Sequence, residues 1–146
     1  AYSGRCIPAQ QVGGDYFDFF DFGADQLGFV LADVSGKGIA GAMLMANLQA
    51  TFRSQSALAV RNPVAMLESV HKLFYASTPT QFFVTLFFGI YDDQRRELRY
   101  VNCGHPAALL ARGDGTLEKL EAGALPLAIF EEWSGVEGKV AIGAGD

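Results

Sequence analysis

The sequence is short of the features that would assign it quickly, and each shortage excludes something. It has two cysteines, Cys6 and Cys103, in no spacing that a metal-binding pair would use, so they read as reduced thiols of a cytoplasmic protein, with a single disulfide the alternative. No uninterrupted apolar stretch reaches the roughly 18–20 residues of a membrane span; the richest, residues 39–48, is short and crowded with alanine. A basic head followed by an apolar block, the mark of a secretory signal, is missing from Ala1-Tyr2-Ser3-Gly4-Arg5. The chain does not begin with Met, and reads as a piece of something longer. Its 11 basic residues are scattered and outnumbered by 16 acidic ones, for a net charge of −5, which excludes nucleic acid as an expected partner. Repeats, low-complexity tracts and linkers are missing too. What remains is half hydrophobic, with twelve Phe in 146 residues. That is enough to bury a real core as one domain, residues 1–146.

The pattern alternates between strand-like and helix-like stretches. Aromatic density favours a strand over residues 15–22, with Asp15, Phe17, Phe19 and Asp21 on one side and Tyr16, Asp18, Phe20 and Phe22 on the other. The Gly23-Ala24-Asp25-Gln26 turn leads into an apolar run over 27–33, so the two strands form an antiparallel hairpin. That hairpin brings Asp15 and Asp33 to the same end of the sheet, because one opens its strand and the other closes its partner. After the Ser35-Gly36-Lys37-Gly38 corner, residues 39–56 read as a helix lying on the sheet through Ile39, Met43, Ala46 and Ala50, with Leu44, Leu48 and Phe52 near the same stripe and the Met residues as core filler. A second helix starts with Asn62 as N-cap and Pro63 in its first turn; Leu67, Val70, Phe74 and His71 share a face. Residues 82–91 and 98–102 form a second hairpin, 107–112 and 116–120 a third, and 136–142 one more strand. The fold class is therefore α+β, an antiparallel sheet with helices packed on it.

Three clusters invite chemistry. Asp15 and Asp33 are a candidate acidic pair whose oxygens suit one or two divalent cations. The glycine-lysine corner fails as a phosphate loop, because Gly36-Lys37 is followed by Gly38 and no glycine stands five positions before Gly36. Cys103 and His105 could be nucleophile and base, but lack a third group to orient them, and a plain Gly-His-Pro turn explains them more simply. Ser35 has no His near it in sequence, and His71 reads as an ordinary helix residue.

Four motifs in order, Gly13-Gly14-Asp15-Tyr16-Phe17-Asp18, Asp33-Val34-Ser35-Gly36-Lys37-Gly38, Phe83-Val84-Thr85-Leu86-Phe87 and Asn102-Cys103-Gly104-His105-Pro106, closely resemble those of the bacterial RsbU/SpoIIE-type branch of the metal-dependent 2C-type serine/threonine phosphatases. The likeness runs from about Pro8 and includes Gly123-Ala124-Leu125-Pro126-Leu127 and the closing Gly145-Asp146. It implies a layered sandwich of antiparallel β-sheets flanked by α-helices, with two Mn²⁺ or Mg²⁺ ions at one end. It implies that Asp33 bridges both ions, that Asp15 holds one directly or through water, and that the Val34 carbonyl is a further ligand. A metal-activated water would attack phosphoserine or phosphothreonine, so no protein nucleophile is required. His105 would be structural. The further family aspartates, beyond the Gly-Asp turn, are not in the sequence, so the resemblance implies a domain incomplete at its C-terminus. The implied partner is a phosphorylated STAS-type anti-anti-sigma protein, with a sensor or receiver domain upstream in the parent chain. The alternative is a docking or signalling module that kept the fold and lost the metal site.

Overall fold

The computed structural model describes residues 2–7, 12–23 and 25–146; Pro8, where the family likeness begins, and Ala24 of the first turn lie outside them. Among the described residues the chain forms β1 (Asp15–Asp21), β2 (Gln26–Val34), α1 (Gly38–Gln55), a 3₁₀ turn (Ser56–Leu58), α2 (Pro63–Ser77), β3 (Val84–Asp92), β4 (Glu97–Cys103), β5 (Ala108–Ala111), β6 (Leu117–Leu120) and β7 (Gly138–Ala141). Five of these strands make one sheet in the order β1-β2-β3-β4-β7, and β5 pairs with β6 in a separate two-stranded sheet. Every neighbouring pair is antiparallel.

Two apolar layers hold this arrangement. On one face Tyr16, Phe20, Val30, Leu86, Phe88 and Val101 pack against Leu48 and Phe52 of α1 and Met66, Leu67, Val70 and Phe74 of α2. On the other, Phe87, Leu98 and Val140 meet Leu120 of the β5–β6 hairpin. The result is helices on one face of the main sheet and a small second sheet on the other. Because β3 is covered on both faces, its Val-Thr-Leu-Phe-Phe-Gly-Ile run is apolar nearly throughout instead of alternating. Strand β1 does alternate: Tyr16 and Phe20 are buried against the helices, while Phe17 and Phe19 lie half-buried on the opposite side.

Helix α2 starts as expected, with the Asn62 side-chain oxygen accepting from the Ala65 N–H at 3.0 Å and Pro63 in the first turn. Helix α1 departs from expectation. Its buried residues are Gly41, Leu48 and Phe52, with Leu44 and Met45 packed against the core, whereas Ile39 and Met43 are 74% and 70% exposed. Its first half, residues 38–46, is apolar or glycine throughout, so periodicity could not choose its face there. Gly41 chooses it, because a Cβ there would stand 2.9 Å from the Gly36 carbonyl oxygen and only hydrogen lets the helix approach so closely. Of the methionines, Met66 is core, Met45 half-buried and Met43 outside.

Strand ends depart from the sequence pattern in both directions: β2 and β4 each run one residue further at both ends, while β3, β5 and β7 are shorter. Strand β3 begins at Val84 rather than at residue 82, because the Phe83 N–H goes to the Ser35 hydroxyl at 2.8 Å instead of into a ladder.

Candidate metal centre

The β1–β2 register sets Asp15 directly opposite Asp33, and the β2–β3 register sets Asp33 opposite Thr85. Residues directly opposite share a face. Asp15, Asp33 and Thr85 therefore stand abreast at one end of the sheet, on the side that also carries β5–β6. The Thr85 hydroxyl lies 3.0 Å from His105 Nδ1, so the imidazole joins the row. His105 is held in turn by Asn102, which is fully buried: its side-chain oxygen accepts from the His105 N–H at 2.9 Å and its amide donates to the Leu120 carbonyl at 3.2 Å.

The turn out of β2 completes the site. The Val34 N–H donates to the Gly14 carbonyl at 3.2 Å, and a Cβ on Gly14 would come within 2.4 Å of the Val34 carbonyl oxygen. Glycine before Asp15 is thus what allows β1 to begin beside that oxygen. Ser35 then fastens the corner to β3: its N–H donates to the Phe83 carbonyl at 2.9 Å and its hydroxyl accepts from the Phe83 N–H. Gly36 follows with φ +118°, a conformation that glycine adopts readily and a branched side chain does not. A cleft of about 430 Å³ opens here, lined by Asp15, Asp33, Val34 and the 35–38 corner.

Electrostatically the pair is unbalanced. Among the described residues neither carboxylate takes part in an ion pair. Desolvation first, and the charge of Asp15 second, raise the Asp33 carboxyl above its ordinary value, with His105 pulling the other way. His105 is itself lowered, chiefly by burial, against the opposing pull of Asp33 and Asp15. Two carboxylates abreast, neither in an ion pair among the described residues, and a backbone carbonyl beside them form a hard oxygen donor set of the kind that Mg²⁺ or Mn²⁺ takes. Among the described residues no group of three or more His, Cys, Asp or Glu side chains stands ready to hold an ion, so protein carboxylates supply only part of a coordination shell.

Asp15, Asp33 and Val34 are therefore brought together, as the sequence anticipated. Cys103 and His105 are not a catalytic pair. Cys103 is buried in the helix-side core and burial pushes its thiol far up, while Gly104, at φ +65°, turns the chain so that His105 goes to the Asp33 end. Ser35 is a brace and not a nucleophile. Sequence reasoning quoted Thr85 and Asn102 without giving them roles; a threonine inside a Phe/Val run and an asparagine closing a strand were the available signals.

The family described as Stage II sporulation protein E (SpoIIE) matches residues 23–146. The phosphoserine phosphatase RsbU of Bacillus subtilis is 27% identical over 128 residues, covering 87% of this chain and 38% of RsbU. The solved RsbU and RsbW domains of a Mycobacterium tuberculosis protein superpose with a TM-score of 0.79 at 29% identity, covering 95% of this chain and 38% of that one. The SiaA-PP2C domain of Pseudomonas aeruginosa gives 0.77 at 19% identity, covering 93% of this chain and 54% of that one. The chain thus spans little more than a third of RsbU. The family match, which takes in most of the chain, places it in the SpoIIE family, and its antiparallel sheet with two helices has the fold of the solved PP2C domain.

Proposed function

We propose that the chain is the metal-site-bearing part of a protein serine/threonine phosphatase that hydrolyses phosphoserine or phosphothreonine. The observation that carries this reading is the register that sets Asp15 against Asp33, with the Val34 carbonyl against Gly14. In this reading Asp33 would be a ligand shared by two Mn²⁺ or Mg²⁺ ions, and Asp15 and the Val34 carbonyl would be further ligands. The ions, when bound, lower the pKa of water and neutralise phosphate charge. The chain's own residues fix the donors: Gly14 admits the Val34 oxygen, Ser35 ties the corner to β3, and Thr85, bonded to His105, stands opposite Asp33. No side chain here has to act as a nucleophile, which agrees with the structural roles of Ser35 and Cys103.

The substrate we favour is a phosphorylated STAS-type regulator, as in partner-switching control of sigma factors, with a sensor or receiver domain upstream in the parent protein. A cytoplasmic setting suits such a partner and the two free thiols. No helix among the described residues is long and apolar enough to cross a membrane. A docking module without catalysis is the second reading, favoured by the lack, among the described residues, of a third metal-ligating side chain grouped with the pair.

The test is Mn²⁺ titration by calorimetry on this chain and on the parent protein, each assayed on a phosphoserine peptide and on a phosphorylated STAS domain. Tight binding and turnover by the parent, both lost in Asp33→Asn, support the phosphatase. A parent protein that binds no Mn²⁺ and hydrolyses neither substrate leaves the docking reading.

A further inference from the structure

His71 sits midway along α2 and is 2% exposed. Its ring lies between Tyr75, 5.8 Å away at an interplanar angle of 25°, and Trp133, 6.1 Å away at 24°. Both of its hydrogen-bond partners are backbone groups of one loop. The Ala128 N–H donates to Nδ1 at 3.2 Å, which obliges Nδ1 to carry a lone pair. The neutral ring therefore bears its proton on Nε2 and donates it to the Glu131 carbonyl at 3.0 Å. The loop closes over the ring through Trp133, whose indole N–H donates to the Leu125 carbonyl at 2.7 Å. Ala128, where the latch attaches, has φ +65°, a left-handed conformation that an alanine rarely adopts. A strained residue with its N–H fixed by a buried imidazole is a segment held in place from outside.

What the loop holds is the start of β3. Leu127 exchanges two backbone hydrogen bonds with Val84, at 2.8 and 3.0 Å. On its other side Val84 is paired with Val34, and Phe83 with Ser35. The chain of contacts from His71 to the Val34–Ser35 corner is thus three links long and made of hydrogen bonds and fixed backbone throughout.

We infer that His71 is a positioning residue for the metal corner, latching the 125–133 loop in its neutral, Nε2-protonated form so that Leu127 clamps Val84 and holds Val34 and Ser35 in place. Its bearing on catalysis rests on the phosphatase reading; the latch itself does not. A second ring proton would put a donor on Nδ1 facing the Ala128 N–H, so only the neutral ring makes this latch. The titratable groups nearest it along the chain and the loop are Glu68, Lys72 and Tyr75 on α2 and Glu131 and Glu132 on the loop. No side chain among them is hydrogen-bonded to the ring; Glu131 meets it through its backbone carbonyl alone.

The experiment uses this 146-residue chain and its single tryptophan. Trp133 emission is followed from about pH 8 to pH 5, the range in which histidine titrates, for wild type, His71→Asn, His71→Phe and His105→Asn. Asparagine can accept from the Ala128 N–H without titrating; phenylalanine keeps the stack and offers no acceptor. The emission change is expected in wild type and His105→Asn and is expected to vanish in His71→Asn. Amide exchange is read at neutral pH on the same proteins. In His71→Phe protection falls about tenfold or more at Ala128, Leu127, Val84 and Ser35 and stays unchanged at Val30, with His71→Asn restoring most of it. Loss confined to Ala128, with Val84 and Ser35 still protected, overturns the positioning role. An emission profile identical in wild type and His71→Asn overturns the latch, and this comparison stands even where His71→Phe does not fold. Mn²⁺ affinity, measured on the same set, is expected to be weaker in His71→Phe and near wild type in His71→Asn. A wild type that binds no Mn²⁺ sinks the phosphatase reading and leaves the exchange result to decide the latch.

Discussion

Strands β2 and β3 carry a carboxylate near each end of their shared ladder, and the two ends are built on opposite principles. At one end Asp92 pairs with Gln26 and is fully provided for: the Gln26 amide donates at 2.8 Å, the Arg95 N–H at 2.9 Å, and the Arg95 guanidinium stands 3.8 Å away. Those donors, the Gln26 amide foremost, hold its carboxyl below the ordinary value. At the other end Asp33 faces Asp15 on one side and Thr85 on the other, and its carboxyl is raised. One end spends its carboxylate on the fold; the other leaves two carboxylates uncompensated. A like-charge pair placed directly across two strands is unfavourable by itself, and its natural remedy is a cation.

The largest break in this comparison comes from Asp33. In the parent protein Asp33→Ala is expected to abolish turnover on a phosphoserine peptide while circular dichroism and melting temperature stay near wild type, whereas Asp92→Ala should lower the melting temperature and leave a measurable rate. Normal turnover by the Asp33 variant would refute its role as shared ligand. A smaller but sharper break is steric. Gly14→Ala drives a methyl against the Val34 carbonyl, and the backbone shift should cost about 1–3 kcal/mol in urea unfolding. It should also weaken Mn²⁺ binding in calorimetry by more than its loss of stability accounts for, because the oxygen that must move is a proposed ligand. Gly36→Val tests the corner in the same way from its far side, through φ +118° and the Phe82 ring 2.8 Å from the added carbon; about 2 kcal/mol is expected, and unchanged stability would contradict the conformation.

How much of this was legible in the sequence follows from the range over which each feature is determined. The hairpin that opposes Asp15 to Asp33 was readable because a short glycine turn fixes register locally, and the Asn62 cap because capping is settled within three residues. The buried face of α1 was not. Ile39 and Met43 looked like core, but the approach of Gly41 to the Gly36 carbonyl, a contact across the corner, decides which side of the helix's apolar first half turns inward. Thr85, Asn102 and His105 were visible as motif letters, and their roles depend on β3 and β4 lying side by side. His71 was read as an ordinary helix residue because its partners, Ala128 and Glu131, stand 57 and 60 positions away. Nothing local marks it.

The finest test of the comparison is the sign of a pH dependence in metal-free buffer. A raised carboxyl stabilises the fold only while it is protonated, so the Asp33 contribution is complete below the ordinary value of 3.8 and is lost as pH rises through the folded value. Asp33→Asn should therefore be more stable than wild type at neutral pH, by about 0.2–1 kcal/mol for one relieved cross-strand repulsion, and the gain should disappear as pH falls below 4. A lowered carboxyl behaves in the opposite way. The Asp92 contribution is complete above 3.8 and is lost as pH falls through its folded value, so Asp92→Asn should be the less stable protein at neutral pH, with its deficit shrinking in acid. Melting curves of the three proteins between pH 3 and pH 7 decide both signs. Adding Mn²⁺ at neutral pH should then stabilise wild type and leave Asp33→Asn where it was, reversing their order. Two variants that shift together with pH, or a wild type indifferent to Mn²⁺, would mean that the two ends of the ladder do not differ in the way their hydrogen bonds indicate.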